Sequence, residues 1–232
     1  MSNERDYRTG AIIVAAGSSR RMGGVDKLLR PLNGRPLIAY AVAAFAASND
    51  VDRLAVVTSN ANFDVIGDIV RQLAPDATVV LGGERRRDSV RAGLDVLADV
   101  DYVLVHDGAR PLVNEVMIEA ALRGAIEIGA AICAVPVVDT IKRAGVDELI
   151  AGTIDRSALR AAQTPQAFRR DLLLRAHEID SGDATDDAAL VERLGLPVRL
   201  VDGSPRNIKV TTPDDFHVAE ALLQRAGARD DT

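Results

Sequence analysis

The chain has 232 residues, 47% of them hydrophobic, and a formal net charge of −6. This length suits a single domain over residues 1–232, and the negative charge argues against nucleic acids or membrane surfaces as partners, because these attract basic proteins. The sequence has no apolar run of 18 residues and no charged-then-apolar leader, so we expect no membrane span, no signal peptide and a cytoplasmic location.

Strand-like and helix-like hydrophobic patterns alternate from residue 10 to residue 136. They predict strands at residues 10–16, 54–58, 78–81, 102–106 and 130–136, and helices at residues 36–47, 63–73, 88–97 and 114–128. This alternation predicts an α/β fold with a doubly wound, mostly parallel sheet, whose ligand binds at the carboxyl ends of the strands. The only cysteine, Cys133, lies in an apolar strand, where we expect a buried structural thiol.

The alternation breaks after residue 136. Residues 138–156 are polar and contain a turn signal at Gly145, which predicts an extended hairpin or arm that leaves the sheet. Beyond the arm, the patterns predict helices near residues 169–179 and 186–194, a strand at 198–201 and a last helix from Pro213.

The first predicted strand leads into Ala15-Ala16-Gly17, which is followed by Arg21 and Lys27. Small residues let backbone N–H groups approach an anion, and the two cations add positive charge at the same place. The spacing fits neither a P-loop nor a dinucleotide fingerprint, because Leu28 follows the lysine and Ser19 replaces a glycine. Without the cations an ordinary turn would be the simpler interpretation. With them, the segment predicts a polyphosphate site.

A second motif, His106-Asp107-Gly108-Ala109-Arg110-Pro111, follows the strand at residues 102–106. Asp107 alone could be a turn or helix-capping residue, but beside the basic loop it is well placed to hold Mg²⁺, which prefers a few carboxylates together with substrate phosphates. With only three histidines in the chain, a metal would depend on carboxylates and a Ser-His-Asp triad is not expected. We expect a neutral, packed His106, and an Arg110 that either binds phosphate or fixes its loop by hydrogen bonds.

The third motif runs from Gly82 to Ser89 and could cradle a nucleotide base. The Gly83 backbone and the Ser89 hydroxyl offer donors and acceptors for a pyrimidine edge. We expect two of the three arginines at positions 85–87 to be solvated, with Asp88 as a helix N-cap.

Further polar motifs are individually weak: Thr185 resembles a helix N-cap and Thr164-Pro165 a turn. Their order, however, closely resembles the 2-C-methyl-D-erythritol 4-phosphate cytidylyltransferase family of the non-mevalonate isoprenoid pathway, over nearly the whole chain. The segments that carry the resemblance are Ala15-Ala16-Gly17, Arg21-Met22, Lys27, Gly82-Gly83, Arg86, Ser89, 103–107, 109–111, 139–142, Asp155-Arg156, 164–166, Thr185-Asp186 and 207–211.

The resemblance implies a nucleotide-diphospho-sugar transferase-like fold, CTP as co-substrate, Mg²⁺ as cofactor, and a homodimer in which the arm reaches the other subunit. It implies that Arg21 and Lys27 stabilise the transition state and that Asp107 binds the metal. The nucleotide contacts implied are Ala15, Ala16, Gly17, Gly83, Glu84 and Ser89. The methylerythritol phosphate contacts implied are Thr140, Arg156, Thr164, Thr185 and Lys209.

Two positions depart from the family pattern: Ser19 stands where a second glycine is usual, and Gly108 where alanine is usual. Residues 22–27 are also similar to molybdenum-cofactor guanylyltransferases, which would imply GTP. A ribitol 5-phosphate cytidylyltransferase would share the first half of the chain but need different residues at Arg156 and Lys209. A non-catalytic nucleotide-binding regulator would have lost a charged site residue.

Overall fold

A seven-stranded sheet with helices on both faces dominates the computed structural model, which describes residues 5–17, 26–179, 182 and 184–230. The strands are β1 (Thr9–Ala15), β2 (Pro31–Leu32), β3 (Arg35–Pro36), β4 (Arg53–Thr58), β5 (Thr78–Leu81), β6 (Tyr102–Asp107), β7 (Ala130–Pro136), β8 (Ile141–Ala144), β9 (Ile150–Ile154), β10 (Arg160–Arg169) and β11 (Arg199–Asp202). The helices are α1 (Leu37–Ala47), α2 (Phe63–Leu73), α3 (Arg86–Val96), α4 (Glu115–Ile128), α5 (Arg170–Ile179), α6 (Asp187–Arg193) and α7 (Pro213–Asp230).

The strand order in the main sheet is β11-β7-β10-β6-β1-β4-β5. Every neighbouring pair is parallel except the two pairs of β10, which is antiparallel to both β6 and β7. From β1 the chain first moves outward to β4 and β5, then returns to β6 on the other side of β1. The strand order therefore reverses between β1 and β6, and ligands of open α/β sheets bind at such a point. The predicted doubly wound, mostly parallel fold is confirmed.

The core has two layers because successive strand residues point to opposite faces of the sheet. Ile13 packs on the face covered by α1, α2, α4 and α7, while its neighbour Ile12 packs on the face covered by α3, α5 and α6. Both side chains are fully buried, which explains the continuous apolar pattern of β1. No helix in the described part of the chain combines the length and apolar character needed to cross a bilayer.

The long strand β10 was not predicted. Its sequence contains Gln163, Thr164, Pro165 and Gln166, a polar pattern that predicts a turn at Thr164-Pro165. The structure places this dipeptide inside the strand, with a cis peptide bond, where the pairing with β7 shifts register between Ala162 and Gln166. Proline lacks an N–H group, and such a local break in the ladder accommodates it. The buried polar side chains hid the strand from the hydrophobic pattern.

At the position of the predicted arm, β8 and β9 form a separate two-stranded antiparallel sheet. The arm is less polar at its surface than the sequence suggested, because Val138, Val146, Leu149 and Ile150 all have exposed side chains. Two predicted helix N-caps are wrong by one to three residues. Arg85 caps α3, with Asp88 accepting the Arg85 backbone N–H, and Asp186 rather than Thr185 caps α6.

Candidate active site

A cavity of about 620 Å³ opens where the strand order reverses, at the carboxyl ends of β1 and β6 and the start of α3. It brings together most of the residues predicted for nucleotide binding, catalysis and metal binding, and one predicted acceptor contact, Lys209. The others are Ala15, Ala16, Gly17, Lys27, Gly83, Glu84, Ser89 and Asp107. Ala15 and Asp107 end strands β1 and β6, Ser89 lies in the first turn of α3, and the others lie in loops at the same edge of the sheet. The parallel topology explains their convergence. Arg21 lies outside the described residues.

The wall of this cavity next to the start of α3 depends on a glycine. A Cβ atom on Gly82 would lie 2.4 Å from the Cβ of Ala16 and 2.6 Å from Oγ of Ser89. Such contacts are too short for any side chain, so only glycine lets β1 and the start of α3 approach this closely. The Gly82-Gly83 motif therefore sets the distance between two walls of the cavity.

Asp107, at the end of β6, lies among three cationic side chains. Its Oδ2 is 2.7 Å from Nζ of Lys209 and 4.0 Å from Nε of Arg110, and its Oδ1 is 3.3 Å from Nε of Arg86. Burial by itself would raise the pKa of Asp107, but the positive charges, with Arg86 first and Lys209 next, outweigh it and hold the pKa well below its usual value. Asp107 is therefore a carboxylate at all physiological pH values.

Arg86 is one of the residues that carry the family resemblance, but the sequence analysis assigned it no contact with substrate or metal. Its Nη1 donates to Oδ2 of Asp187 at 2.7 Å, and its side chain lines the large cavity. Burial alone would lower its pKa, but Asp187 and Asp107 together hold the pKa above its usual value. The prediction that two of the arginines at 85–87 are solvated is wrong, because Arg87 also packs inward and donates to the carbonyl oxygens of His177 and Gly182.

The backbone of Asp107 is fixed by a chain of hydrogen bonds. Its N–H donates to Oγ1 of Thr164 at 3.1 Å, and that hydroxyl lies 3.0 Å from Nδ1 of His106. Nε2 of His106 lies 3.1 Å from the carbonyl oxygen of Arg110, which can only accept, so Nε2 carries the proton and Nδ1 accepts from Thr164. Burial lowers the pKa of His106 to about 4. The expected neutral, packed histidine is confirmed.

The structure shows one of the two alternatives given for Arg110 and confirms the expectation for Cys133. Arg110 fixes its loop, because its Nη1 donates to the carbonyl oxygen of Asn207 at 2.7 Å. Cys133 is fully buried, and burial raises the pKa of its thiol to about 12, as for a structural cysteine.

A second cavity of about 220 Å³ adjoins the first and shares Arg86, Asp107 and Lys209 with it. Thr164 and Thr185, which the sequence predicted to contact the acceptor, line this second cavity. The lining of both cavities lacks Thr140 and Arg156, which lie at the two ends of the arm. Arg156 donates instead to the backbone of Val138. A single chain therefore brings together three of the five predicted acceptor contacts.

Comparison with known proteins identifies the family. The model of the IspD family, described as 2-C-methyl-D-erythritol 4-phosphate cytidylyltransferase, matches residues 9–225. The enzyme of that name from Dehalococcoides mccartyi is 43% identical over 220 residues, covering 94% of this chain and 97% of the relative. The one from Parasynechococcus marenigrum is 45% identical over 217 residues, covering 91% and 96%.

Solved structures agree with the sequence comparison. The crystal structure of 4-diphosphocytidyl-2C-methyl-D-erythritol synthase from Anaerococcus prevotii superimposes with a TM-score of 0.84 at 29% identity, covering 94% of this chain and 99% of that one. The family match over almost the whole fold, together with relatives above 40% identity, shows that the chain belongs to the 2-C-methyl-D-erythritol 4-phosphate cytidylyltransferase family of nucleotidyltransferases.

Proposed function

We propose that the chain transfers CMP from CTP to 2-C-methyl-D-erythritol 4-phosphate, giving 4-diphosphocytidyl-2-C-methyl-D-erythritol and pyrophosphate. The observation that carries this proposal is the pair of adjoining cavities that share Arg86, Asp107 and Lys209. The larger is of the size that small-molecule ligands occupy, and the smaller adjoins it at these three charged residues. Two anionic substrates would meet where the cavities join.

The nucleotide would occupy the larger cavity. Backbone groups of Ala15, Ala16 and Gly17 at the end of β1 would face the triphosphate, since small residues allow close approach. Gly83, Glu84 and Ser89 line the same cavity and offer backbone and side-chain groups for the cytosine edge.

The acceptor phosphate would bind in the smaller cavity, next to Lys209, with Thr164 and Thr185 at its sides. The Thr164 hydroxyl already forms hydrogen bonds with His106 and with the backbone N–H of Asp107. We therefore assign Thr164 the role of orienting the cavity wall rather than of binding the acceptor through its hydroxyl. Thr140 and Arg156 would come from the arm of a second copy of the chain, which makes the proposed enzyme a homodimer with shared sites.

The chemistry requires alignment and charge neutralisation rather than a protein nucleophile. A phosphate oxygen of the acceptor attacks the α-phosphorus of CTP in line, a new P–O bond forms, and the bond to the β-phosphate oxygen breaks as pyrophosphate leaves. Lys27, whose Nζ donates to the carbonyl oxygen of Val210 at 3.0 Å, is held in the cavity wall and would stabilise the charge that develops at the α-phosphate. Arg21 would act on the same charge, and Lys209 would orient the attacking phosphate.

Magnesium is also part of this proposal. The described residues contain no group of three or more His, Cys, Asp or Glu side chains arranged to hold a metal, and Asp107 is the only carboxylate of the cluster that lines both cavities. This donor set fits Mg²⁺, which is commonly bound by one or two carboxylates together with substrate phosphates. When bound, the ion would neutralise charge on the triphosphate and the departing pyrophosphate.

The test is release of pyrophosphate with CTP, GTP, ATP or UTP, each offered with methylerythritol phosphate or ribitol 5-phosphate. We expect Mg²⁺-dependent release with CTP and methylerythritol phosphate together and little with any other pair. Preference for GTP, or equal activity with ribitol 5-phosphate, would redirect the assignment within the nucleotidyltransferases. No release from any pair would indicate a non-catalytic nucleotide-binding protein. A cytoplasmic location and the absence of nucleic-acid or membrane partners stay predictions from the sequence.

A further inference from the structure

An ion pair between Arg86 and Asp187 joins two parts of the chain that carry different substrate contacts. Arg86 is the first residue of α3 and follows Gly83 and Glu84 of the proposed nucleotide site. Asp187 is the first residue of α6 and follows Thr185 of the proposed acceptor site by two positions. The two side chains meet at 2.7 Å although 101 residues separate them in sequence.

The pair is buried on the Asp187 side and open to both cavities on the Arg86 side. The Asp187 side chain is 1% exposed, whereas Arg86 is 23% exposed and lines both cavities. A buried carboxylate is costly unless it is paired. Among the described residues, the ring of His177 also lies near Asp187, with Nε2 3.7 Å from Oδ1, so Arg86 at 2.7 Å provides the closest compensation.

Arg86 also contacts Asp107, but less closely. The Nε–Oδ1 distance to Asp107 is 3.3 Å, against 2.7 Å from Nη1 to Asp187. Asp187 thus holds the guanidinium toward α6, while Lys209 makes the closest contact with Asp107 at 2.7 Å. Without the charge of Asp187, the guanidinium would have one remaining carboxylate partner and would shift toward Asp107.

We infer that Asp187 is a positioning residue: it anchors Arg86 at the junction of the two cavities, so that this ion pair fixes the nucleotide and acceptor sites relative to each other. The inference rests on the proposed function for the identity of the two substrates. Asp187 lines neither cavity and acts through Arg86, whereas Arg86 is placed to face the phosphates directly.

The test is a double-mutant cycle with Asp187→Asn, which keeps the shape of the side chain, and Arg86→Gln, which leaves a shorter neutral amide; each substitution removes the charge. We expect Asp187→Asn to lower kcat by about tenfold while the KM for CTP changes by less than about threefold, because the proposed base contacts lie elsewhere. The double variant should be no slower than Arg86→Gln alone, because Asp187 acts only through Arg86.

A matched control separates positioning from loss of stability. Val191→Ala removes two methyl groups from a fully buried side chain of the same helix α6 and leaves the Arg86–Asp187 pair intact, so it should lower the melting temperature and leave kcat unchanged. Turnover at the wild-type rate in folded Asp187→Asn would overturn the inference, as would losses that multiply in the double variant or an equal fall of kcat in Val191→Ala.

The cycle uses whichever nucleotide and acceptor the wild-type chain turns over. An error in the proposed substrates would therefore appear in the wild-type chain, and an error in the role of Asp187 only in the variants. A wild-type chain that turns over none of the pairs would overturn both.

Discussion

The charged cluster around Asp107 and the arm formed by β8 and β9 differ in whether their side chains find interaction partners within the same chain. In the cluster, the buried carboxylates of Asp107 and Asp187 are compensated by cations of the same chain. In the arm, the strands pair with each other in a separate sheet, and the side chains of Val146 and Ile150 are 83% and 68% exposed.

This difference indicates which part of the site one chain can complete. The cluster has its charge partners in place and can form in a monomer. The arm gains little from its own apolar residues unless another surface covers them. A second copy of the chain is the partner that the proposed shared site requires, because Thr140 and Arg156 lie on the arm and line neither cavity.

The largest effect should follow substitution within the cavity of one chain. We expect Lys27→Ala to lower kcat by about two orders of magnitude or more at saturating substrates, because it removes positive charge from the place where charge develops. Arg21→Ala should have a similar effect. Steady-state pyrophosphate release measures both, and Arg71→Ala on the exposed face of α2 is the control. Full turnover by Lys27→Ala would exclude the proposed role.

Removal of the charge of Asp107 should cost less. Asp107→Asn keeps the shape of the side chain but leaves Lys209 and Arg86 without a shared carboxylate, so we expect kcat to fall by about ten- to a hundredfold. If Asp107 binds Mg²⁺, a higher Mg²⁺ concentration should restore part of the activity. Asp95→Asn, which breaks an exposed ion pair with Arg91, is the control. Equal activity of Asp107→Asn and the wild-type chain at every Mg²⁺ concentration would refute metal binding by Asp107.

Substitution of Lys209 should separate the two substrates. We expect Lys209→Ala to raise the KM for methylerythritol phosphate by about tenfold and the KM for CTP by much less, because Lys209 is assigned to the acceptor phosphate. Lys209→Arg keeps the charge and should recover part of the affinity. Since Lys209 lines both cavities, an equal rise in both KM values is the result that would contradict this division.

Mixing inactive chains tests whether the arm completes a neighbouring site. Lys27→Ala disables the cavity and Arg156→Ala disables the arm, so a heterodimer has one site with both lesions and one with neither. After random subunit exchange at equal amounts, about a quarter of wild-type activity should return, because half of the dimers are mixed and each has one intact site. A monomer by sedimentation, or exchanged mixtures that stay inactive, would argue against shared sites.

The sequence predicted those features that local patterns encode. The apolar runs of β1 and β6 and the residues that follow them identified the sheet and the large cavity, because parallel strands place their ends at one edge. Strand β10 was missed because its central residues are polar yet buried. The pair of Arg86 and Asp187 was missed because its partners are distant in sequence, and no local pattern distinguishes a buried arginine from a solvated one.

The last prediction concerns the stability of the fold at acid pH rather than catalysis, and it depends on His106. Burial lowers its pKa from 6.5 to about 4, so between these values the unfolded chain binds a proton that the folded chain does not. The free energy of unfolding should therefore fall as pH decreases from about 6.5 to 4, by about 3 kcal/mol in full. The carboxylates of Asp107 and Asp187, whose pKa values are lowered, add their loss mainly below pH 4, so the two windows are distinct.

Denaturant unfolding at a series of pH values measures this dependence. His106→Gln keeps a donor for the carbonyl oxygen of Arg110 but cannot take up a proton, so its stability should vary less between pH 6.5 and 4. His217→Gln, at an exposed position on α7, should keep the wild-type slope. Equal slopes in the wild-type chain and His106→Gln would mean that His106 is not the group that titrates. A smaller pH dependence of the free energy of unfolding in His106→Gln would show that burial within one chain keeps His106 neutral. The cluster around Asp107 would then depend on contacts of its own chain, unlike the arm.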